Sequence, residues 1–136
     1  MPPPSRFRNG SRNLFLKRAL QAAVVVAALV PVTAGLLGIF APALLDLTGS
    51  PQSLTHTAYL SGLLLAIGLG FWSTVPAIET KGARFSLLTA LVVLGGLARL
   101  TTAMRLGIWT LGVTGPLVME LGVTPALWLW QKRLPG

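Results

Sequence analysis

This sequence predicts an all-α fold: an integral membrane, antiparallel bundle of four transmembrane helices with both termini on the cytoplasmic side. Three observations carry that prediction. Charged residues make up only 10% of the chain, where a soluble domain has about 25%. The apolar residues, 53% of the total, are gathered into long runs. The basic residues flank those runs. Lipid is the solvent that such a pattern fits.

The elements follow in order. Residues 1–13 carry three consecutive prolines together with Gly, Ser, Asn and arginines, and Phe7 is their one aromatic side chain. That composition cannot build a core, so a disordered or surface-lying basic tail is expected there, with one membrane domain over 14–136. No charge interrupts Ala19 to Leu45. About 20 apolar residues cross a bilayer core, which places a first span over about 18–40, with Pro31 as a kink that membrane helices tolerate. A secretory signal peptide has a shorter apolar region, about 7–15 residues, so a span is the better reading. Asp46 to Ser53 is turn chemistry punctuated by Gly49 and Pro51. A second span follows over about 54–78, with Ser53 or Thr55 placed to cap it. Glu79 to Arg84 is a short polar link of the kind that joins antiparallel helices. The third span, about 85–104, is interrupted only by Arg99. A glycine-rich link from Arg105 to Gly115 leads to a fourth, about 115–131, which begins near Pro116, a good first-turn residue.

Loop charge sets the orientation. With four spans, nine basic side chains share one side with both termini, while Arg105 alone falls on the other and Arg99 lies within a span. The positive-inside rule then puts both termini in the cytoplasm. Trp72, Trp128 and Trp130 fall near the inner ends of their spans, where indole rings favour the interface. A multi-pass protein of the bacterial inner membrane is expected. The formal charge of +8 belongs to this flanking pattern and not to a nucleic-acid surface. Membrane lipid and other membrane protein subunits are the expected partners, and the basic tail is expected to set topology and rest on anionic lipid.

Several chemistries lack their residues. The chain has no cysteine, which removes disulfides, thiolate metal sites and Cys-x-x-Cys redox pairs. His56 is the only histidine, too few nitrogens for a three-ligand zinc site or for both axial ligands of a haem. No phosphate loop or dinucleotide fingerprint is present. A Ser-His-Asp arrangement from Ser53 or Ser61, His56 and Asp46 has no support in their spacing. No catalytic residue, metal or cofactor is expected.

Two charges mark a candidate site. Arg99 and Glu120 each sit inside an apolar run, where a lone charge costs a few kcal/mol or more and normally carries a partner. Arg99 is five residues before Met104, roughly 7–8 Å from that end, and Glu120 is four residues after Pro116, roughly 6 Å in. Antiparallel spans bring both to the outer half at similar depth. His56 and Tyr59, three residues apart on one helix face, begin the second span on the same side, and Asp46 lies in the adjoining loop. The five side chains form one expected polar cluster: an ion pair of Arg99 with Glu120 that fixes helix register, or a ligand site in which the guanidinium fork holds a carboxylate or phosphate. Gly62, Ala66 and Gly70 continue the face of Tyr59, and Gly95 and Gly96 precede Arg99 by one turn, a small-residue pattern that permits close helix approach.

The run His56-Thr-Ala-Tyr-Leu-Ser-Gly-Leu-Leu-Leu-Ala-Ile-Gly-Leu-Gly-Phe-Trp72, with Pro76-Ala-Ile-Glu79, Gly95-Gly-Leu-Ala-Arg99 and Glu120, resembles the DUF4345-type family of uncharacterised four-helix membrane proteins, akin to the DoxX-like group. The likeness covers roughly Leu14 to Arg133. It implies a compact bundle of four membrane helices and no particular activity. The leading expectation for function is a non-enzymatic accessory subunit packing against a larger, energy-converting membrane complex; the DoxX-like analogy implies subunits or partners of membrane oxidoreductases. The alternative is a binding or transport module for a small anion, quinone or lipid, with Arg99, Glu120, His56 and Tyr59 lining its pocket.

Overall fold

The structure is a computed structural model that describes residues 4–135; residues 1–3 of the expected tail and the terminal Gly136 lie outside it. Every element among the described residues is helical. Helix α1 covers Pro4–Phe40, and a single 3₁₀ turn, Pro42–Leu44, follows it. Helix α2 covers Pro51–Thr74 and closes in the 3₁₀ turn Val75–Ala77. Helix α3 covers Gly82–Leu106. Helix α4, Leu111–Val118, runs through a π segment, Met119–Val123, into α5, Thr124–Lys132. Three stretches are long and apolar enough to cross a membrane: Arg8–Phe40, Pro51–Ala77 and Gly82–Leu106.

The helix ends differ from the expected ones for local reasons. Residues 4–13, expected as a tail, are the first turns of α1. A helix nucleated in an apolar span lengthens at little further cost, and proline suits a first turn. Helix α2 starts at Pro51 and not at Leu54, because Pro51 takes the first helical position and Ser50, not Ser53 or Thr55, is the N-cap. The Ser50 hydroxyl accepts from the Ser53 amide at 3.1 Å. Helix α3 runs on to Leu106, where Gly107 turns the chain at φ 64° and its amide donates to the Ala103 carbonyl. That left-handed stop favours glycine.

The largest difference is the last rod. It begins at Leu111 and not near Pro116, so Pro116 lies inside α4 and the expected glycine-rich link shrinks to residues 107–110. Residues 111–115 are mostly apolar and have no side-chain donors except Thr114, so an internal helical ladder is the surest way to satisfy their backbone. Pro125 explains the π segment. Its ring crowds the carbonyl four residues earlier, at Leu121, and the wide turn over Met119–Val123 relieves that clash. The Thr124 hydroxyl reaches back five residues to the Met119 carbonyl at 2.8 Å.

The chain divides into two compact units, residues 22–76 and residues up to 21 with 77 onward. In the first of these, α1 and α2 pack antiparallel, and glycines set their separation. A Cβ added to Gly35 would stand 2.8 Å from the Ser61 carbonyl oxygen, one on Gly38 would collide with the Ser61 side chain, and one on Gly68 would lie 2.6 Å from a Val32 methyl. Val32 lies at this seam beside Gly68; Val24 and Ala28 are also buried on α1, and Phe71 and Thr74 on α2. The Trp72 indole N–H donates to the Val25 carbonyl at 3.1 Å. Gly62, expected at a helix contact, has open space where a Cβ would go. The close face of α2 is Ser61, Leu65 and Gly68 instead.

In the other unit, α3 runs antiparallel to α4–α5. Three contacts fix the register. The Gln131 amide donates to the Ile78 carbonyl at 2.9 Å, the Trp128 indole donates to the Ser86 hydroxyl at 2.8 Å, and Gly96 lies against Glu120 and Leu121. Leu20, Ile78 and Phe85 are fully buried at one end and Ala103 and Leu117 are buried towards the other. A Cβ on Gly96 would stand 2.8 Å from the Glu120 Cβ, whereas none would be crowded at Gly95. Gly96→Ala should therefore cost about 1–3 kcal/mol through overpacking, while Gly95→Ala should be neutral or stabilising by up to about 1 kcal/mol. Thermal unfolding in detergent measures both; equal effects would contradict this register.

Candidate functional site

Arg99 stands three residues after Gly96 on α3, and Glu120 is the second residue of the π segment. Because Gly96 has no side chain, the backbone bearing Glu120 comes close enough for the carboxylate to be met side-on. The Arg99 Nε donates to Oε2 and Nη2 donates to Oε1, both at 3.1 Å. This two-pronged geometry is the strong form of an arginine–carboxylate contact. Exposure is unequal: the Arg99 side chain is 42% exposed and that of Glu120 19%. Each carboxylate oxygen accepts one of these bonds, whereas three of the five guanidinium N–H groups are not used by the pair.

Arg99 also lines a groove of about 390 Å³, together with Ala98, Thr102, Ala103 and Leu106 of α3 and with Ile108 and Val113. The α3 positions share one face and run from Arg99 to the end of the helix. The wall is apolar apart from Arg99 and Thr102, and the Thr102 hydroxyl donates within its own helix to the Ala98 carbonyl at 3.1 Å. Hydrogen-bond donors on offer in the groove are therefore those of one guanidinium.

Asp46, His56 and Tyr59 lie in residues 22–76, the other compact unit from Arg99 and Glu120. Asp46 belongs to the turn between α1 and α2, where its Oδ1 accepts from the Thr48 amide at 2.9 Å and hydroxyl at 2.6 Å. The Ser53 hydroxyl first, then the Thr48 hydroxyl and amide, hold the Asp46 carboxyl below the usual carboxylate range. This aspartate is a turn-former. His56 and Tyr59 are exposed on the first turns of α2. Among the described residues no group of three His, Asp or Glu is placed to hold a metal.

A second ion pair was not anticipated from sequence. Lys17 of α1 donates to Glu79 Oε1 at 2.7 Å, beside a cavity of about 220 Å³ that Asn13, Leu14, Leu134 and Pro135 also line. The two residues are 62 apart, and only their place beside span ends could have hinted at the contact. The hydrogen bond from Lys17, chiefly, keeps the Glu79 carboxyl below its ordinary range. The folded protein therefore takes up that proton less readily than the unfolded chain. Its stabilisation is complete at neutral pH and is lost progressively as pH falls below the ordinary glutamate value of about 4.3. The difference in Tm between wild type and Glu79→Gln should be positive at pH 7 and shrink towards zero below that point. A difference independent of pH would contradict the assignment.

A family model described as a domain of unknown function, DUF4345, matches residues 19–131. No curated protein matches the chain, and no solved structure does. The matched stretch takes in the three long apolar helices from Ala19 onward, the Gly96 contact and both members of the Arg99–Glu120 pair. The chain is thus a member of the DUF4345 family.

Proposed function

We propose that this protein is a four-span integral protein of the bacterial inner membrane that works by binding, not by catalysis. Its site in this reading is the Arg99–Glu120 pair with the adjoining groove, and its ligand is an amphiphile of the bilayer. The fourth span would be α4, the π segment and α5, which have eight, five and nine residues and reach about 33 Å at 1.5 Å per residue. That suffices for a hydrocarbon core of about 30 Å. Both termini then lie in the cytoplasm with the basic side chains.

The observation that carries the binding reading is the half-exposed Arg99 side chain on an apolar helix face. A purely structural ion pair would be expected to turn both groups inwards, since polar hydrogens left in hydrocarbon are costly. Here one partner is covered and the other opens onto a groove of ligand size.

The second reading, a non-enzymatic accessory subunit of a larger, energy-converting membrane complex, is favoured by a different observation. Gly62, Gly95, Gly115 and Gly122 all face open space, and bare glycine faces let another helix approach closely. Isolation in mild detergent followed by native mass spectrometry separates the two. The binding reading predicts the chain alone or as a small homo-oligomer with bound lipid-sized mass, and that mass should fall severalfold in the paired variant Arg99→Gln/Glu120→Gln. Fixed-ratio recovery with other proteins, and no such mass, would replace it with the subunit reading.

A further inference from the structure

Resting on the binding reading, we propose that the groove beside Arg99 seats a diacyl glycerolipid and recognises it by a fatty-acyl ester carbonyl instead of by headgroup charge. The argument starts from the donor inventory. Glu120 takes two of the five guanidinium N–H groups, and the Thr102 hydroxyl is committed to Ala98. What remains for a ligand is chiefly charged donors, so the ligand is expected to supply an acceptor; an amine or a metal cation would meet the positive guanidinium with only the Thr102 hydroxyl oxygen to hold it. Charge narrows the choice further. Arg99 and Glu120 neutralise each other, so an added anion would stand in the low-dielectric groove without a counter-charge, at a considerable desolvation cost. A neutral acceptor carries no such penalty and still gains a hydrogen bond to a charged donor.

Position points to the same group. Arg99 is seven residues before Leu106, the last residue of α3, roughly 10 Å along the axis. Helix α3 has 25 residues, about 37 Å, against a hydrocarbon core of about 30 Å. Centred in the bilayer, it sets Arg99 about 6–7 Å below the hydrocarbon edge. Ester carbonyls are the lipid oxygens nearest that level, because phosphates lie further out. The glycerol region would fill the groove between Thr102 and Leu106, and an acyl chain would descend over the exposed side chain of Leu94 and the open backbone of Gly95.

The test uses lipids that differ only in the recognised atoms. The purified full chain in detergent is titrated with diester phosphatidylcholine, with diether phosphatidylcholine of equal chain length, and with diester phosphatidylglycerol, and bound lipid is read by native mass spectrometry. The diester should bind about tenfold more tightly than the diether, as loss of one hydrogen bond to a charged group implies. Phosphatidylglycerol should gain less than that over phosphatidylcholine. Thr102→Phe, at an exposed groove position, should abolish the diester preference while leaving the ion pair and Tm unchanged. Arg99→Gln/Glu120→Gln should abolish it too. Equal diester and diether binding, or a dominant phosphatidylglycerol preference, that is still lost with Thr102→Phe would overturn ester recognition and leave the groove as a binding site. Lipid binding that neither variant alters would overturn the site as well.

Discussion

Arg99 and Glu120 can meet only because position 96 is glycine. The Glu120 Cβ comes within 2.8 Å of where a Gly96 side chain would begin, and one helical turn later the guanidinium closes on both carboxylate oxygens at 3.1 Å. Two otherwise prohibitive charges thereby become one neutral, hydrogen-bonded unit on apolar helices. The register of α3 against α4–α5 is the register that makes this contact. The Trp128–Ser86 and Gln131–Ile78 hydrogen bonds hold the same pairing towards the other end.

The proposed binding function rests on what the pair leaves over. A side-on carboxylate satisfies one edge of the guanidinium and none of the rest, and Arg99 also lines an apolar groove. Pro125 contributes indirectly: the π segment that accommodates its ring is the turn that carries Glu120, and such wide turns often occur at functional positions. The proposed four-span topology gives the groove its setting, because hydrocarbon removes water as an alternative acceptor. In that setting the same donor edge that would be solvated on a soluble protein becomes a selective demand for a lipid oxygen.

Much of this was legible in the chain. Long apolar runs announced the three long helices, and the isolation of Arg99 and Glu120 within such runs singled them out. Helix ends were less legible. Ser50 caps α2 in place of Ser53 because Pro51 claims the first turn, and Pro116 sits inside its helix because the apolar residues before it also need a backbone ladder. Glycine spacing misled at Gly62, which faces open space, and said nothing of Gly35, Gly38 and Gly68, which set the α1–α2 separation. A four-residue repeat identifies small residues but not which helix face finds a neighbour. The Lys17–Glu79 bridge joins residues 62 apart, a separation at which only the folded chain reveals a contact.

The central claim is that Arg99 and Glu120 stabilise each other as a charge pair, and a charge-swap cycle tests it most directly. Unfolding in detergent is measured for wild type, Arg99→Glu, Glu120→Arg and the double swap. Each single change places like charges together and should lower Tm clearly, while the double swap should recover most of the loss. A double swap as unstable as the sum of its parts would show that the two residues act independently, and would contradict the account.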